Sequence, residues 1–336
     1  MRLRVPELVT RPSDKELIER IRRGTGAVGV ELGARLQSLW GGYGELFRAE
    51  LTGLPVTSAV VKCVLPPPER ALASDPRKRR SHRRKLRSYE VELAFYQRYA
   101  SRCADACRVP RLLYGAHDQG QFLFVLEDLD AAGFGARRAR CSDAELALCL
   151  SWLAAFHARF LGVASEGLWK VGTYWQLATR PDELAALGGH ALRRAAPRID
   201  RRLNAASFRT LVHGDAKLEN FCFSRAGDAV AAVDFQYVGG GVGVKDVAYF
   251  LSSCFSPREC QAAVPPALDL YFAALRSALA VDSPGTDAGA VEREWRELFA
   301  WAWLDFYRFL LGWAPLEAAR DEYSEALLHA LLARGE

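Results

Sequence analysis

Between residues 211 and 250 the chain carries a short island, LVHGDAKLEN followed by FCFS, RAGDA and VAAVDF, that admits few folds. FCFS and VAAV are apolar runs around a polar, glycine-containing turn, the pattern of a β-hairpin. If 221–224 pairs antiparallel with 230–233, Asn220 just before the first strand and Asp234 just after the second lie side by side at the open end. Two hard oxygen donors at one place suit Mg²⁺ held together with phosphate oxygens. Asp215, on the loop leading into the hairpin, is then a carboxylate free to act as a base, and Lys217 a cation for developing charge. Metal on phosphates, a positioned nucleophile and cationic stabilisation are what phosphoryl transfer asks of a protein.

HGDAKLEN, residues 213–220, resembles the catalytic loop of the protein-kinase-like superfamily, which reads HRDxKxxN in protein kinases and HGDxxxxN in aminoglycoside phosphotransferases. The metal-binding DFG of that superfamily stands here as DFQ, residues 234–236, similar to the form in ecdysteroid-kinase-like, or CHK-kinase-like, proteins. GVKDVAYFL, VLEDL and LAAFHA also look like that group, and the resemblance runs from about residue 40 to about residue 255. It implies an α+β, protein-kinase-like fold of two lobes. The first, 1–130, would be a nucleotide-binding lobe with a five-stranded antiparallel sheet; the second, 131–336, a mainly helical catalytic and substrate-binding lobe. It further implies ATP and Mg²⁺ as cofactors, Asp215 and Lys217 as catalytic residues, Asn220 and Asp234 as metal ligands, and Asp246 as a brace for the catalytic loop. Glutamine after Asp-Phe means that a movable switch of the protein-kinase type is not expected.

On the nucleotide side, strand patterns in VGVELGARLQSLW, ELFRAEL and SAVVKCVL are joined by WGGYG, whose Gly41, Gly42 and Gly44 permit close approach of backbone amides to phosphates. Lys62 is a lone charge in the apolar AVVKCVL, where an ion-paired lysine is expected. The resemblance implies that Lys62 serves the α- and β-phosphates with a helical glutamate as partner. Glu92, in ELAFY, fits the family pattern better than Glu90. VLEDL would supply backbone hydrogen bonds to adenine from Glu127 and Leu129, as the link between lobes.

Two capping boxes, Ser13 with Glu16 and Ser142 with Glu145, each open a helix. RLLYGAHDQGQFLFVLEDL reads as two antiparallel strands, and later segments, including the aromatic-rich REWRELFAWAWLDFYRFLLGW, as helices. That last stretch places aromatic residues on every face, so some belong to the core while others suit an apolar alcohol or a quaternary amine. Aminoglycosides would call for clustered carboxylates, which are few here.

With 336 residues, half of them hydrophobic, the chain can bury two substantial cores. No apolar stretch follows the basic N-terminal residues, and no later segment is expected to span a bilayer. The eight cysteines show no metal-ligand pairing, and a reducing, cytoplasmic setting without disulfides is expected. The eight basic residues of RKRRSHRRKLR, 77–87, exceed the whole net charge of +5, so the remainder is mildly acidic. This run is read as a solvated, mobile loop ahead of a helix rather than a nucleic-acid site, for it lacks aromatic interleaving. The expected partner is a small-molecule alcohol, with no membrane and no nucleic acid. The competing reading is a catalytically silent nucleotide-binding regulatory protein of the same fold.

Overall fold

The computed structural model describes residues 13–67, 75–103, 105–318 and 321–333. The expectation that the N-terminal residues form neither signal nor anchor falls, for 1–12, outside the described residues. Contacts divide the chain into two compact units, Met1–Ser101 with Pro110–Gly133, and Arg102–Val109 with Phe134–Glu336.

The first unit begins with α1 (Asp14–Thr25), opened by a full capping box. Ser13 Oγ accepts from Glu16 N, and the Glu16 carboxylate accepts from Ser13 N at 2.8 Å. Strands β1 (Gly29–Ser38), β2 (Gly44–Thr52), β3 (Ser58–Val64), β4 (Leu112–Asp118) and β5 (Gln121–Glu127) form one sheet, ordered β1-β2-β3-β5-β4. Every neighbouring pair in it is antiparallel. Period-2 alternation decides its faces. Phe47, Ala49 and Leu51 of β2, Ala59, Val61 and Cys63 of β3, and Leu123 and Val125 of β5 join Leu17 and Ile21 of α1 in one core. Lys62 alternates with Val61 and Cys63 and therefore points to the other face of β3.

Helix α2 (Pro76–Arg98) corrects one expectation, because it contains the whole basic run, 77–87, that was read as a loop. Asp75 caps its start by accepting from Arg77 N at 2.9 Å, and Pro76 occupies the first turn, where its missing N–H costs nothing. Arginine and lysine are good helix formers, and buried His82, Ser88 and Tyr89 give the helix an inner face.

The second unit is mainly helical: α3 (Asp143–Arg159), α4 (Pro181–Ala186), α5 (Ala191–Asn204), α6 (Val244–Cys254), α7 (Pro257–Asp282), α8 (Ala288–Trp313), α9 (Pro315–Ala318) and α10 (Glu322–Ala333). Among them lie two short antiparallel pairs, β6 (Thr210–Val212) with β9 (Gly239–Gly241), and β7 (Phe221–Phe223) with β8 (Val230–Ala232). A five-stranded antiparallel sheet in the N-terminal unit and helices dominating the remainder make the chain α+β, the expected class. Seven of the eight aromatic residues read in α8 are buried, whereas Trp313 is 55% exposed. Contrary to the expectation that no later segment is long and apolar enough for a bilayer, α7 meets that description, with 26 residues and a mean hydropathy of 1.2 over its most apolar window. Its Val264, Tyr271, Phe272 and Leu275 are buried, and Tyr271 Oη lies 2.9 Å from His157 Nδ1 of α3.

Candidate active site

The loop between β6 and β7 is held from below by α6. Asp246 is fully buried and accepts from the backbone N–H groups of His213 (2.5 Å, Oδ2) and Gly214 (2.9 Å, Oδ1). His157 of α3 in turn holds Asp246 Oδ2 at 3.1 Å, so this histidine is a structural partner. His213 is buried, which pushes its imidazole below the usual range and keeps it neutral. Its Nε2–H donates to Val233 O at 3.0 Å and its Nδ1 accepts from Asp215 N at 3.2 Å, which fixes the tautomer. Gly214 has φ +82°, and a Cβ there would stand 2.1 Å from Tyr237 O. No other residue fits this turn without displacing the backbone.

The hairpin pairs Phe221 with Ala232 and Phe223 with Val230, one residue shorter at each strand end than the sequence pattern predicted. Ser224 instead caps the turn, its Oγ bonded to Asp228 Oδ1 and to the N–H groups of Asp228 and Ala229. Val233 N donates to Asn220 O at 3.0 Å, so Asn220 and Val233 face each other and Asp234 follows at the same open end. The Asn220 amide donates to Asp215 O (2.7 Å) and Asp215 Oδ2 (3.1 Å). Asp215, Asn220 and Asp234 are thereby collected at one place.

Their electrostatics are strained. Burial, then the charge of Asp234, push the Asp215 carboxyl up to about 8, against the pull of Lys217, the Asn220 amide and the Tyr249 hydroxyl. Asp234 adopts φ +69°, a left-handed conformation that costs a non-glycine residue of order 1 kcal/mol. Its Oδ1 is buried and takes no hydrogen bond among the described residues. A buried carboxylate oxygen without a donor is expensive unless a cation meets it. The Asn220 amide nitrogen is already used, which leaves Asn220 Oδ1 as its second oxygen donor at the same opening. The donor set therefore fits a divalent cation that draws its remaining ligands from phosphate and water. Among the described residues no group of three or more His, Cys, Asp or Glu is arranged to hold a metal by itself.

Two residues at this site were not singled out from the sequence. Tyr249 of α6 contacts Asp215 and the hydroxyl of Tyr174, and burial followed by the Asp215 charge keeps its phenol protonated. Asp246, Tyr249 and Ser253 fall at i, i+3 and i+7 on one helix face, and Ser253 Oγ accepts from Leu218 N at 3.0 Å. That periodicity, in KDVAYFLSS, was the available signal. Tyr249 also borders a cavity of about 250 Å³ walled by Trp303, Phe306, Tyr307 and Phe255, with Asp321 at its edge.

In the first unit, Lys62 Nζ donates to Glu92 Oε2 at 2.7 Å, both side chains being buried. Glu90 faces elsewhere and pairs with Arg87 at 3.0 Å. Gly41 (φ +71°) and Gly42 (φ +74°) lie between β1 and β2, and Gly44 (φ +140°) is the first residue of β2. A Cβ at Gly44 would sit 2.0 Å from Cys63 O of β3, so glycine is required to bring this loop onto the strand that carries Lys62. Tyr43, within the loop, is anchored to α2: its Oη lies 2.6 Å from His82 Nδ1, and Lys85 Nζ stands 4.3 Å from its ring centroid. Glu127 ends β5 and accepts from Arg111 N at 3.0 Å, while Leu129 is buried. Between them, burial opposes the charge of Asp128, yet Ser58 and Arg48 hold its carboxyl below the usual range.

Curated protein sequences give no match. Among solved structures, similarity extends to an aminoglycoside-3'-phosphotransferase of type VIII (18% identity, 88% of this chain and 97% of that one, TM-score 0.44). A microcompartment-associated aminopropanol kinase is similar at 14% identity, over 89% and 90% of the two chains, with TM-score 0.47. The Plasmodium vivax ethanolamine kinase Pv091845 is similar at 10% identity, over 90% and 82%, with TM-score 0.48. The phosphotransferase enzyme family, APH, matches residues 73–307, well over half of the sequence. With that match spanning both Glu92 and the HGD loop, the chain belongs to the phosphotransferase enzyme family.

Proposed function

We propose that this protein is an ATP-dependent kinase of a small-molecule alcohol. The observation that carries the reading is the orphaned Asp234 Oδ1, held in a left-handed backbone beside Asp215 and Asn220. Asn220 and Asp234 would hold Mg²⁺, which supplies charge neutralisation on the phosphates. Asp215 accepts the proton of the acceptor hydroxyl, and the neighbouring Lys217 offsets negative charge there. Lys62, fixed by Glu92, serves the α- and β-phosphates; Gly41, Gly42 and Gly44 offer backbone amides, and the peptides of Glu127 and Leu129 serve adenine. The division into a nucleotide lobe, 1–130, and a catalytic lobe, 131–336, belongs to the same reading.

DFQ and GVKDVAYFL support an ecdysteroid-kinase-like, or CHK-kinase-like, member of the family, and the cysteine pattern supports a reducing, cytoplasmic setting. The aromatic cavity bordered by Tyr249 supports an acceptor with an apolar or cationic body over a sugar. A library of amino alcohols, sterol-like alcohols and sugars, assayed for ATP consumption with Asp215→Asn as the blank, tests this. An amino alcohol or apolar alcohol consumed only by the wild type is expected. Consumption at equal rates by both proteins, or none with any acceptor, counts against the reading and favours a silent nucleotide-binding protein.

A further inference from the structure

Cys141 and Cys254 lie far apart in sequence, yet their sulfur atoms stand 3.8 Å apart. Both are partly exposed, unlike the buried Cys63, Cys107, Cys149, Cys222 and Cys260. Each sits at the end of an element. Cys141 immediately precedes Ser142, the N-cap of α3, and Cys254 is the last residue of α6. An ion pair between Arg140 and Glu259 of α7, 2.9 Å, ties the same two stretches together. A disulfide needs its sulfurs at about 2.05 Å, and this pair reaches that by a small movement at two helix ends.

We propose that Cys141 and Cys254 form a peroxide-sensitive dithiol, a modification site in which α3 and α6 are joined by a reversible disulfide. Cys141 is the attacking thiol. It stands at the N-terminus of α3, where the unpaired N–H groups of the first turn favour a thiolate, whereas Cys254 stands at the C-terminus of α6, whose unpaired carbonyls disfavour one. Thiolate attack on hydrogen peroxide forms the S–O bond of a sulfenic acid and breaks the O–O bond, with hydroxide leaving. Attack by Cys254 then forms the S–S bond, and the sulfenic oxygen departs as water. In sum, two thiols and one peroxide give one disulfide and two waters. The link closes on the helix whose Asp246, Tyr249 and Ser253 hold the catalytic loop, so oxidation bears directly on that loop.

The folded, full-length protein, treated with hydrogen peroxide, quenched with acid and then alkylated in denaturant, tests the site by thiol count and non-reducing peptide mass spectrometry. Loss of two of the eight thiols, a cross-linked peptide joining Cys141 to Cys254, and full recovery with dithiothreitol are expected. Cys254→Ser is expected to stop at a dimedone-reactive sulfenic acid on Cys141. Thiols of Cys141 and Cys254 that remain fully alkylatable after peroxide overturn the proposal, as does a cross-link confined to Cys103 and Cys107. None of these readouts depends on the phosphotransfer reading.

Discussion

Asn220 holds Asp215 by two hydrogen bonds from one amide, to the backbone carbonyl at 2.7 Å and to Oδ2 at 3.1 Å. The residue that orients the base is thus also the one proposed to share the metal with Asp234. Asn220→Ala removes both contributions. The Mg²⁺ concentration for half-maximal turnover should rise roughly tenfold to a hundredfold, the range for losing a residue that supports a metal site. A Mg²⁺ titration of turnover checks this, and an unshifted curve counts against the shared role.

The raised Asp215 carboxyl makes stability depend on pH. In the unfolded chain Asp215 loses its proton near its ordinary 3.8, whereas the folded, metal-free protein retains it to about 8. The folded state binds the extra proton, so stability falls as pH rises from about 4 to about 8 and levels beyond. Asp215→Asn removes this dependence. Its Tm advantage over wild type should widen across that window, and added Mg²⁺ should narrow it. A gap that stays constant from pH 4 to 9 contradicts the assignment.

The buried Lys62–Glu92 pair is expected to be costly to break and cheap to remove. Lys62→Met leaves Glu92 buried without its partner and should lose roughly 3–5 kcal/mol of stability. Lys62→Met with Glu92→Leu should recover much of that in chemical denaturation, while remaining inactive. Glu90→Gln should change neither stability nor the KM for ATP, because Glu90 pairs only with the half-exposed Arg87 among the described residues. A raised KM in Glu90→Gln would shift the role between the two glutamates.

Gly214→Ala tests the loop geometry. Its Cβ would meet the Tyr237 carbonyl at 2.1 Å in a conformation with φ +82°. The substitution should cost more than about 1 kcal/mol and abolish turnover, without touching a titratable group. Retention of wild-type stability and rate would mean that the turn relaxes freely.

Much of this architecture is readable before folding. The hairpin is written in FCFS and VAAV, because short apolar runs around a polar turn have few other uses, and both early capping boxes form as read. Lys62 announces itself as the only charge in AVVKCVL, although which glutamate meets it depends on helix rotation, which spacing does not settle. The basic run hid its helix because charge masks periodicity. What orders it is Asp75 and Pro76 before it and the buried His82 within, whose partner Tyr43 lies outside the helix. Tyr249 escaped notice because an aromatic in an apolar helix reads as core until tertiary packing sets its hydroxyl beside Asp215. The cysteine pair escaped for the same reason, its members joined only by the chain's return from α6 to the start of α3.

The central claim is that Asp215 acts as the base of a phosphoryl transfer, and the most direct measurement is ATP affinity set against transfer rate in Asp215→Asn. An unchanged Kd for ATP is expected, with γ-phosphate transfer to the best acceptor slowed by roughly a hundredfold or more. Transfer at the wild-type rate in that variant would contradict it.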